Sequence, residues 1–146
     1  MALNADAAAR AWIAAWDRAW RSKDPAPLAD VYADDVEFRS HPFRAPQSPL
    51  VYARGAFDEE GEELELWWNE PVVDGNRAVV EWWTTLTERD APVTLTGASV
   101  LTFRDDGRVA EQHDYWASAD AHVQPWDGWQ LPSADTRAAA KPGEGG

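Results

Sequence analysis

Cysteine is absent from this chain of 146 residues, which excludes disulfide bonds, thiolate nucleophiles and cysteine-ligated metals. No hydrophobic run is long enough to cross a membrane. The N-terminal Met-Ala-Leu-Asn-Ala-Asp lacks the basic and apolar regions of a signal peptide. These three features are typical of a cytoplasmic protein, and we expect no membrane partner.

Positive charge is also scarce, with 13 Lys and Arg against 26 Asp and Glu and a net charge of −13. Such a chain repels nucleic acid and anionic lipid, so neither is expected as a partner. Much of the negative charge lies in the acidic run 58–63, which the pattern predicts to be a solvated surface. His41, His113 and His122 lack metal-ligand spacing and no phosphate-binding loop occurs, so we expect no metal and no cofactor.

Aromatic residues are plentiful, with ten Trp and 45% hydrophobic residues, and this predicts one packed domain. Residues 6–21 read as a helix in which Trp12, Trp16 and Trp20 recur every four residues on one apolar stripe. Three Trp on one stripe are typical of a core, but they can also line a cavity inside it.

A second, short helix is predicted from Asp24-Pro25, with Leu28, Val31 and Tyr32 on its inner stripe. Strands are then predicted at 36–40, 64–73, 78–88, 93–104 and 109–116, while 50–57 fits either a strand or a helix. This order predicts an α+β fold in which the N-terminal helices pack on the concave face of a cone-shaped, curved antiparallel sheet. Such a cone can hold a small molecule.

The stretch 104–116 contains the residues that most clearly indicate a functional site. Asp105-Asp106-Gly107 predicts a tight hairpin turn, and the strand after it alternates between faces. Gln112, Asp114 and Trp116 therefore share one face, while His113 points to the other side. We interpret the Asp114 face as the wall of a small-molecule pocket.

Two residues are candidate catalytic groups, Asp114 and the loop residue His41. Burial beside Trp side chains would raise the pKa of the Asp114 carboxyl toward the range useful for acid/base catalysis. The alternatives are a structural Asp that only accepts hydrogen bonds and a solvated loop histidine. The candidate binding residues are Trp16, Trp20, Tyr32, Phe38, Ser40, Trp82, Ser99, Leu101, Gln112 and Trp116.

Trp67, Val79 and Trp83 fall on the opposite face of the sheet from Trp82. Because a broad Trp-bearing face is rarely left in water, we expect a homodimer formed through it. Residues 118–146 read as a C-terminal extension, in which Trp126 and Trp129 dock and could form a lid over the cone. Residues after 136 have few apolar side chains, so we expect them to add little stability.

Two runs resemble a known family. Tyr-Ala-Asp-Asp-Val-Glu-Phe at 32–38, and Gly-Arg-Val-Ala-Glu-Gln-His-Asp at 107–114, resemble segments of the nuclear transport factor 2-like superfamily, in its SnoaL-like branch related to polyketide cyclases and ketosteroid isomerases. The resemblance covers about residues 6–117 and implies a cone domain over 1–117. It also implies an acid/base role for Asp114, although Gln112 stands where that branch has histidine.

Other branches match less well. Where the resemblance to ketosteroid isomerases implies a general base, a tyrosine and an acidic donor, this chain has Ser40, Trp16 and Ser99. No match exists to the Asp-Arg-Asp set of limonene epoxide hydrolases or to the paired histidines of scytalone dehydratases. These departures argue against a classical steroid isomerase activity.

Three functions stay open from the sequence. The first is a cofactor-independent isomerase, cyclase or dehydratase-like enzyme that acts on a hydrophobic or aromatic small molecule with Asp114 as acid or base. The second is a non-catalytic module that binds an apolar or cationic ligand in a Trp-lined cone. The third is a dimerisation domain whose cone is filled by its own Trp side chains.

Overall fold

The structure, a computed structural model, describes residues 2–131. Within that range no helix has the length and apolar character needed to span a bilayer. The elements in chain order are α1 (Ala5–Ser22), a 3-10 turn (Ala26–Leu28), β1 (Tyr32–Arg39), α2 (Pro49–Glu59), β2 (Glu60–Trp68), β3 (Val72–Asp74), β4 (Arg77–Glu88), β5 (Ala91–Phe103) and β6 (Val109–Ala119).

The six strands form one curved, unclosed sheet in the order β1-β6-β5-β4-β2, with β3 paired to β4. Four of the five pairings are antiparallel, as predicted, whereas β1 pairs with β6 in parallel. The sheet is therefore mixed. The predicted α+β cone is confirmed, with its helices against the concave face.

Helix α1 matches its predicted span, and Asn4 caps it by accepting a hydrogen bond from the Ala7 N–H. Its Trp12 and Trp16 side chains are buried in the main core, while Trp20 is partly buried at the edge of that core. The amphipathic stripe thus packs against the sheet as the four-residue spacing indicated.

The predicted second helix is wrong beyond its first turn. After the 3-10 turn, Val31 accepts a hydrogen bond from the Val109 N–H, and β1 begins at Tyr32. Pairing with β6, far away in sequence, overrides the weak helical pattern of this short segment. Tyr32 is buried either way, but its side chain extends from a strand.

Two other boundaries are resolved by the structure. The ambiguous segment 50–57 is helical, because Ser48 caps α2 and Pro49 occupies its first turn. The single strand predicted over 64–73 is interrupted between Trp68 and Val72, where Pro71 lacks the N–H that a continuous ladder needs.

Gly97 allows the backbones of β5 and β6 to approach closely near Asp114 and Trp116. A Cβ atom at this position would lie 2.0 Å from the Tyr115 carbonyl oxygen and 2.7 Å from the Trp116 Cα atom. Only glycine fits this backbone approach. It sets the path of β6 where Asp114 and Trp116 face the concave side.

The segment after β6 docks on the outer face of the sheet. Trp129 is buried against Trp83, with ring centroids 5.6 Å apart, and Trp126 packs edge-on to the same ring. Asn69 fixes the segment by donating to the Trp129 carbonyl oxygen at 2.8 Å and accepting from the Leu131 N–H at 2.6 Å. Trp129 docks on the face opposite the cone, so the expectation of a lid over the cone is wrong. The prediction for residues after 136 lies outside the described residues.

Candidate functional site

A cavity of about 500 Å³ lies between the two helices and the concave face of the sheet. It is open rather than filled by side chains, and it is lined mainly by aromatic rings and carboxylates. The aromatic residues in its wall are Trp12, Trp16, Trp20, Tyr52, Phe57, Trp68, Trp82 and Trp116.

Asp114 projects into this cavity from the middle of β6. Its Oδ1 atom accepts hydrogen bonds from the Ser99 hydroxyl at 2.7 Å and from the Gln112 Nε2 at 3.0 Å. Within residues 2–131 no protein donor bonds to Oδ2, and this oxygen keeps contact with the cavity. One oxygen therefore fixes the carboxylate, and the other is available to a ligand.

Behind Asp114, indole and hydroxyl groups form a continuous hydrogen-bond network. Gln112 Oε1 accepts from Trp12 Nε1 at 2.9 Å and from the Tyr32 hydroxyl, which itself accepts from Trp16 Nε1 at 2.7 Å. Because both of these partners donate to Oε1, the Gln112 amide nitrogen has to face Asp114. The network thus determines the orientation of the donor that holds the carboxylate.

A second branch of the network begins at the sheet. Trp82 Nε1 donates to the Ser99 Oγ at 3.1 Å, and the Ser99 hydroxyl in turn donates a hydrogen bond to Asp114. Both branches end on the same carboxylate oxygen. The four residues Trp82, Ser99, Gln112 and Asp114 therefore form a rigid polar patch within an apolar wall.

Burial raises the pKa of the Asp114 carboxyl to about 6, although the hydrogen bonds from Ser99 and Gln112 act in the opposite direction. A carboxyl group with this pKa is mostly ionised at neutral pH. Its conjugate acid is also accessible, so it can accept and return a proton. This is the protonation behaviour that acid/base catalysis requires.

Arg44 and Tyr52 form the wall near Trp116. The Arg44 guanidinium lies 5.4 Å from the Trp116 ring centroid, and the Trp116 Nε1 donates to the Ser40 carbonyl oxygen at 2.6 Å. Burial raises the pKa of Tyr52 to about 12, with a further contribution from the charge of Asp114. Tyr52 therefore stays protonated and can donate a hydrogen bond into the cavity.

Glu60 is a site residue that the sequence pattern did not reveal. It belongs to the acidic run that was predicted to be solvated, yet its side chain is only 4% exposed. Its Oε1 accepts from Trp20 Nε1 at 2.8 Å and from Lys23 Nζ at 2.7 Å. Desolvation raises its pKa, while the Lys23 hydrogen bond opposes the change. As the first residue of β2, it turns inward through strand pairing that no local pattern specifies.

Seven of the twelve predicted site residues line the cavity: Trp16, Trp20, Trp82, Ser99, Gln112, Asp114 and Trp116. Five do not, and their expected contact with a ligand is not supported by their placement. Phe38, Ser40 and Leu101 are fully buried in the core. Tyr32 lies behind the cavity wall and contributes through hydrogen bonds with Gln112, Trp12 and Trp16. His41 packs on the Trp116 ring outside the cavity, and its Nδ1 accepts from the Phe43 N–H.

The outer face of β1 and β6 holds a separate cluster. His113 Nε2 lies 2.8 Å from the Glu37 Oε2, as expected if it points away from Asp114. Together with Glu111, these residues place three potential metal-ligand atoms within 4.8 Å of one another. All three side chains are at least partly exposed, and they have no contact with the cavity.

Three solved structures show the same fold. An LEH-like epoxide hydrolase of M. tuberculosis is 21% identical, with a TM-score of 0.60 over 75% of this chain and 82% of its own. A Catenulispora acidiphila protein with a ketosteroid isomerase-like fold, in complex with trimethylamine, is 16% identical, with a TM-score of 0.62 over 72% of this chain and 84% of its own. The epoxide hydrolase/cyclase-like enzyme SalBIII, which acts in pyran ring formation in salinomycin, is 13% identical, with a TM-score of 0.56 over 72% of this chain and 87% of its own. These identities establish the fold only.

No curated protein matches the chain. The family profile described as "SnoaL-like domain" matches residues 9–112, close to the range over which the sequence resembles that family. Because this match covers more than half of the chain, the protein belongs to the SnoaL-like family of the nuclear transport factor 2-like superfamily.

Proposed function

We propose that the protein is a cofactor-independent acid/base enzyme that acts on a hydrophobic or aromatic small molecule, with Asp114 as its base. The observation that carries this proposal is the geometry of the carboxylate. Ser99 and Gln112 hold one oxygen, and the other faces an open, Trp-lined cavity. An Asp with a purely structural role would be expected to use both carboxylate oxygens in hydrogen bonds to the protein.

The proposed reaction begins with removal of a proton from a carbon next to a substrate carbonyl. Asp114 Oδ2 takes the proton, the electron pair of the broken C–H bond forms the C=C bond of an enolate, and the π electron pair of the carbonyl moves onto its oxygen. The Tyr52 hydroxyl donates a hydrogen bond to the developing negative charge. Asp114 then returns the proton to another carbon in an isomerisation, or to a leaving hydroxyl in a dehydration. No external oxidant or cofactor is needed in either case.

The second candidate is a binding module without chemistry. This function is favoured by the number of aromatic rings in the wall and by the related ketosteroid isomerase-like fold that binds trimethylamine. The third candidate, a domain plugged by its own Trp side chains, is weakened by the open cavity of about 500 Å³.

An experiment with the purified protein separates the first two candidates. Native mass spectrometry identifies any co-purified ligand, and its turnover is then compared between wild type and Asp114→Asn. The Asn side chain preserves size and the hydrogen bonds of Oδ1 but removes the base. We expect loss of turnover with retained ligand binding. Turnover at the wild-type rate would exclude Asp114 as the base.

We further propose that the protein forms a homodimer through the outer face of the sheet. The C-terminal segment already covers Trp83, but Val72 and Tyr115 are 68% and 50% exposed on this face. Sedimentation velocity at micromolar concentration tests the proposal: a dimer is expected, and a species of monomer mass alone would contradict it.

A further inference from the structure

The wall of the cavity has an unbalanced charge. Among the residues that the structure describes, one basic side chain, Arg44, lines it. Five carboxylates line it as well: Glu59, Glu60, Glu88, Asp114 and Asp120. A neutral hydrophobic substrate would gain nothing from this excess of negative charge, which lowers the stability of the folded chain.

Three of these carboxylates lie toward the same end of the sheet and line the same cavity. Glu60 begins β2 and is the direct antiparallel partner of Glu88, which ends β4, while Asp120 follows the end of β6. Like charges directly opposite each other on neighbouring strands repel. Lys23 pairs with Glu60 and Arg89 pairs with Glu59, whereas neither Glu88 nor Asp120 has an ion-pair partner within residues 2–131.

Aromatic rings connect this acidic end to Asp114. Trp20 donates to Glu60 and packs edge-on against Trp82, with ring centroids 6.3 Å apart, and Trp82 is bonded through Ser99 to Asp114. Glu60 and Asp114 both line the cavity, together with Tyr52, so the two carboxylates face one shared space.

Aromatic rings in this wall already accept cations from the protein itself. The Lys23 ammonium lies 5.7 Å from the Phe57 ring centroid, and the Arg44 guanidinium lies 5.4 Å from that of Trp116. Both distances fall within the range of a cation–π interaction. A ligand cation would find the same combination of ring faces and carboxylates at the acidic end.

We propose that the ligand of this site is an organic cation, with a protonated or quaternary amine held at the acidic end by Glu88, Asp120 and neighbouring aromatic rings. Its apolar body lies against Trp20 and Trp82, and its reactive group reaches Asp114. This inference rests on the proposed function only in taking the same cavity as the substrate site. It concerns binding and needs no turnover.

The test compares two probes of the same shape. Benzyltrimethylammonium carries a positive charge, and neopentylbenzene is its neutral carbon isostere, so a difference in binding reports charge alone. Quenching of tryptophan fluorescence measures both affinities at low salt. We expect the cation to bind about tenfold more tightly, the ratio that cation–π contacts and a partly exposed carboxylate supply together, and we expect the advantage to shrink at 1 M salt.

Two site variants and one control variant show which carboxylates produce the preference for the cation. Glu88→Gln and Asp120→Asn should each weaken binding of the cation severalfold and leave binding of the neutral isostere unchanged. Glu81→Gln removes the same charge from the same strand as Glu88, but on the exposed outer face, and should change neither affinity. Circular dichroism confirms that each variant is folded, and Asp120 is exposed, so its replacement does not disturb the core.

Equal affinities for the two probes, tighter binding of the neutral isostere, or binding of neither would overturn the proposal. So would a loss of cation affinity in Glu81→Gln equal to that in Glu88→Gln. Failure of the acid/base mechanism gives a different pattern: Asp114→Asn would then keep full turnover while the preference for the cation persisted.

Discussion

The raised pKa of Asp114 has a measurable effect on stability, because the ionised carboxylate is unfavourable in its folded surroundings. We consider Asp114→Asn, which removes the charge and keeps the Oδ1 acceptor for Ser99 and Gln112. The pKa rises from 3.8 to about 6 on folding. At about 1.4 kcal/mol per pH unit, ionisation in the folded state costs about 3 kcal/mol.

The sign of the pH dependence follows from proton binding. Between pH 4 and 6 the folded protein holds a proton on Asp114 that the unfolded chain has released, so the contribution of Asp114 to stability falls as pH rises. Below pH 4 both states are protonated, and well above pH 6 both are ionised. The variant should therefore match wild type near pH 4 and exceed it by up to about 3 kcal/mol at pH 8.

Urea unfolding, followed by tryptophan fluorescence at pH 4, 5, 6, 7 and 8, measures this difference. The many other carboxylates titrate in both proteins, so their effect cancels when wild type is subtracted from the variant. Glu81→Gln provides the control for the loss of one negative charge from a chain of net charge −13. A variant whose stability equals or falls below that of wild type at every pH would refute the reasoning about burial.

Four further predictions concern the packing and hydrogen bonding of the fold. Gln112→Leu leaves the Trp12 indole and the Tyr32 hydroxyl without their shared acceptor, and thermal unfolding should show a loss of about 2–4 kcal/mol. Gly97→Ala puts a Cβ atom into the backbone of β6, so we expect little soluble protein, and normal expression with a normal melting temperature would contradict the packing described. Trp129→Ala uncovers Trp83 and should cost about 3 kcal/mol in a denaturant titration, whereas truncation after residue 133 should leave the melting temperature nearly unchanged.

The strand that carries the site could be predicted because its information is local. The Asp-Asp-Gly turn fixes where β6 begins, and alternation then places Gln112, Asp114 and Trp116 on one face. The hairpin register adds Ser99 directly opposite Asp114. The Trp stripe of α1 is predictable for the same reason, since a helix repeats within its own sequence.

The residues that escaped prediction depend on pairing across long distances. Tyr32 extends from a strand because β1 pairs in parallel with β6, a partner 77 residues away at Val109. Glu60 turns inward because it pairs with Glu88, and composition alone made it part of a solvated run. The position of Trp129 on the outer face depends on Asn69, which no pattern connects with it.

The central claim, that Asp114 removes a proton from a bound ligand, is tested most directly by hydrogen exchange in D2O. Amine-bearing ketones that fit the cavity are incubated with the protein, and loss of the proton next to the carbonyl is followed by NMR. The wild-type protein should accelerate this exchange, and the rate should increase as pH rises through about 6. The Asp114→Asn variant should still bind the ketone but should not accelerate the exchange. Exchange at the same rate in the variant, or binding without any accelerated exchange in wild type, would contradict it.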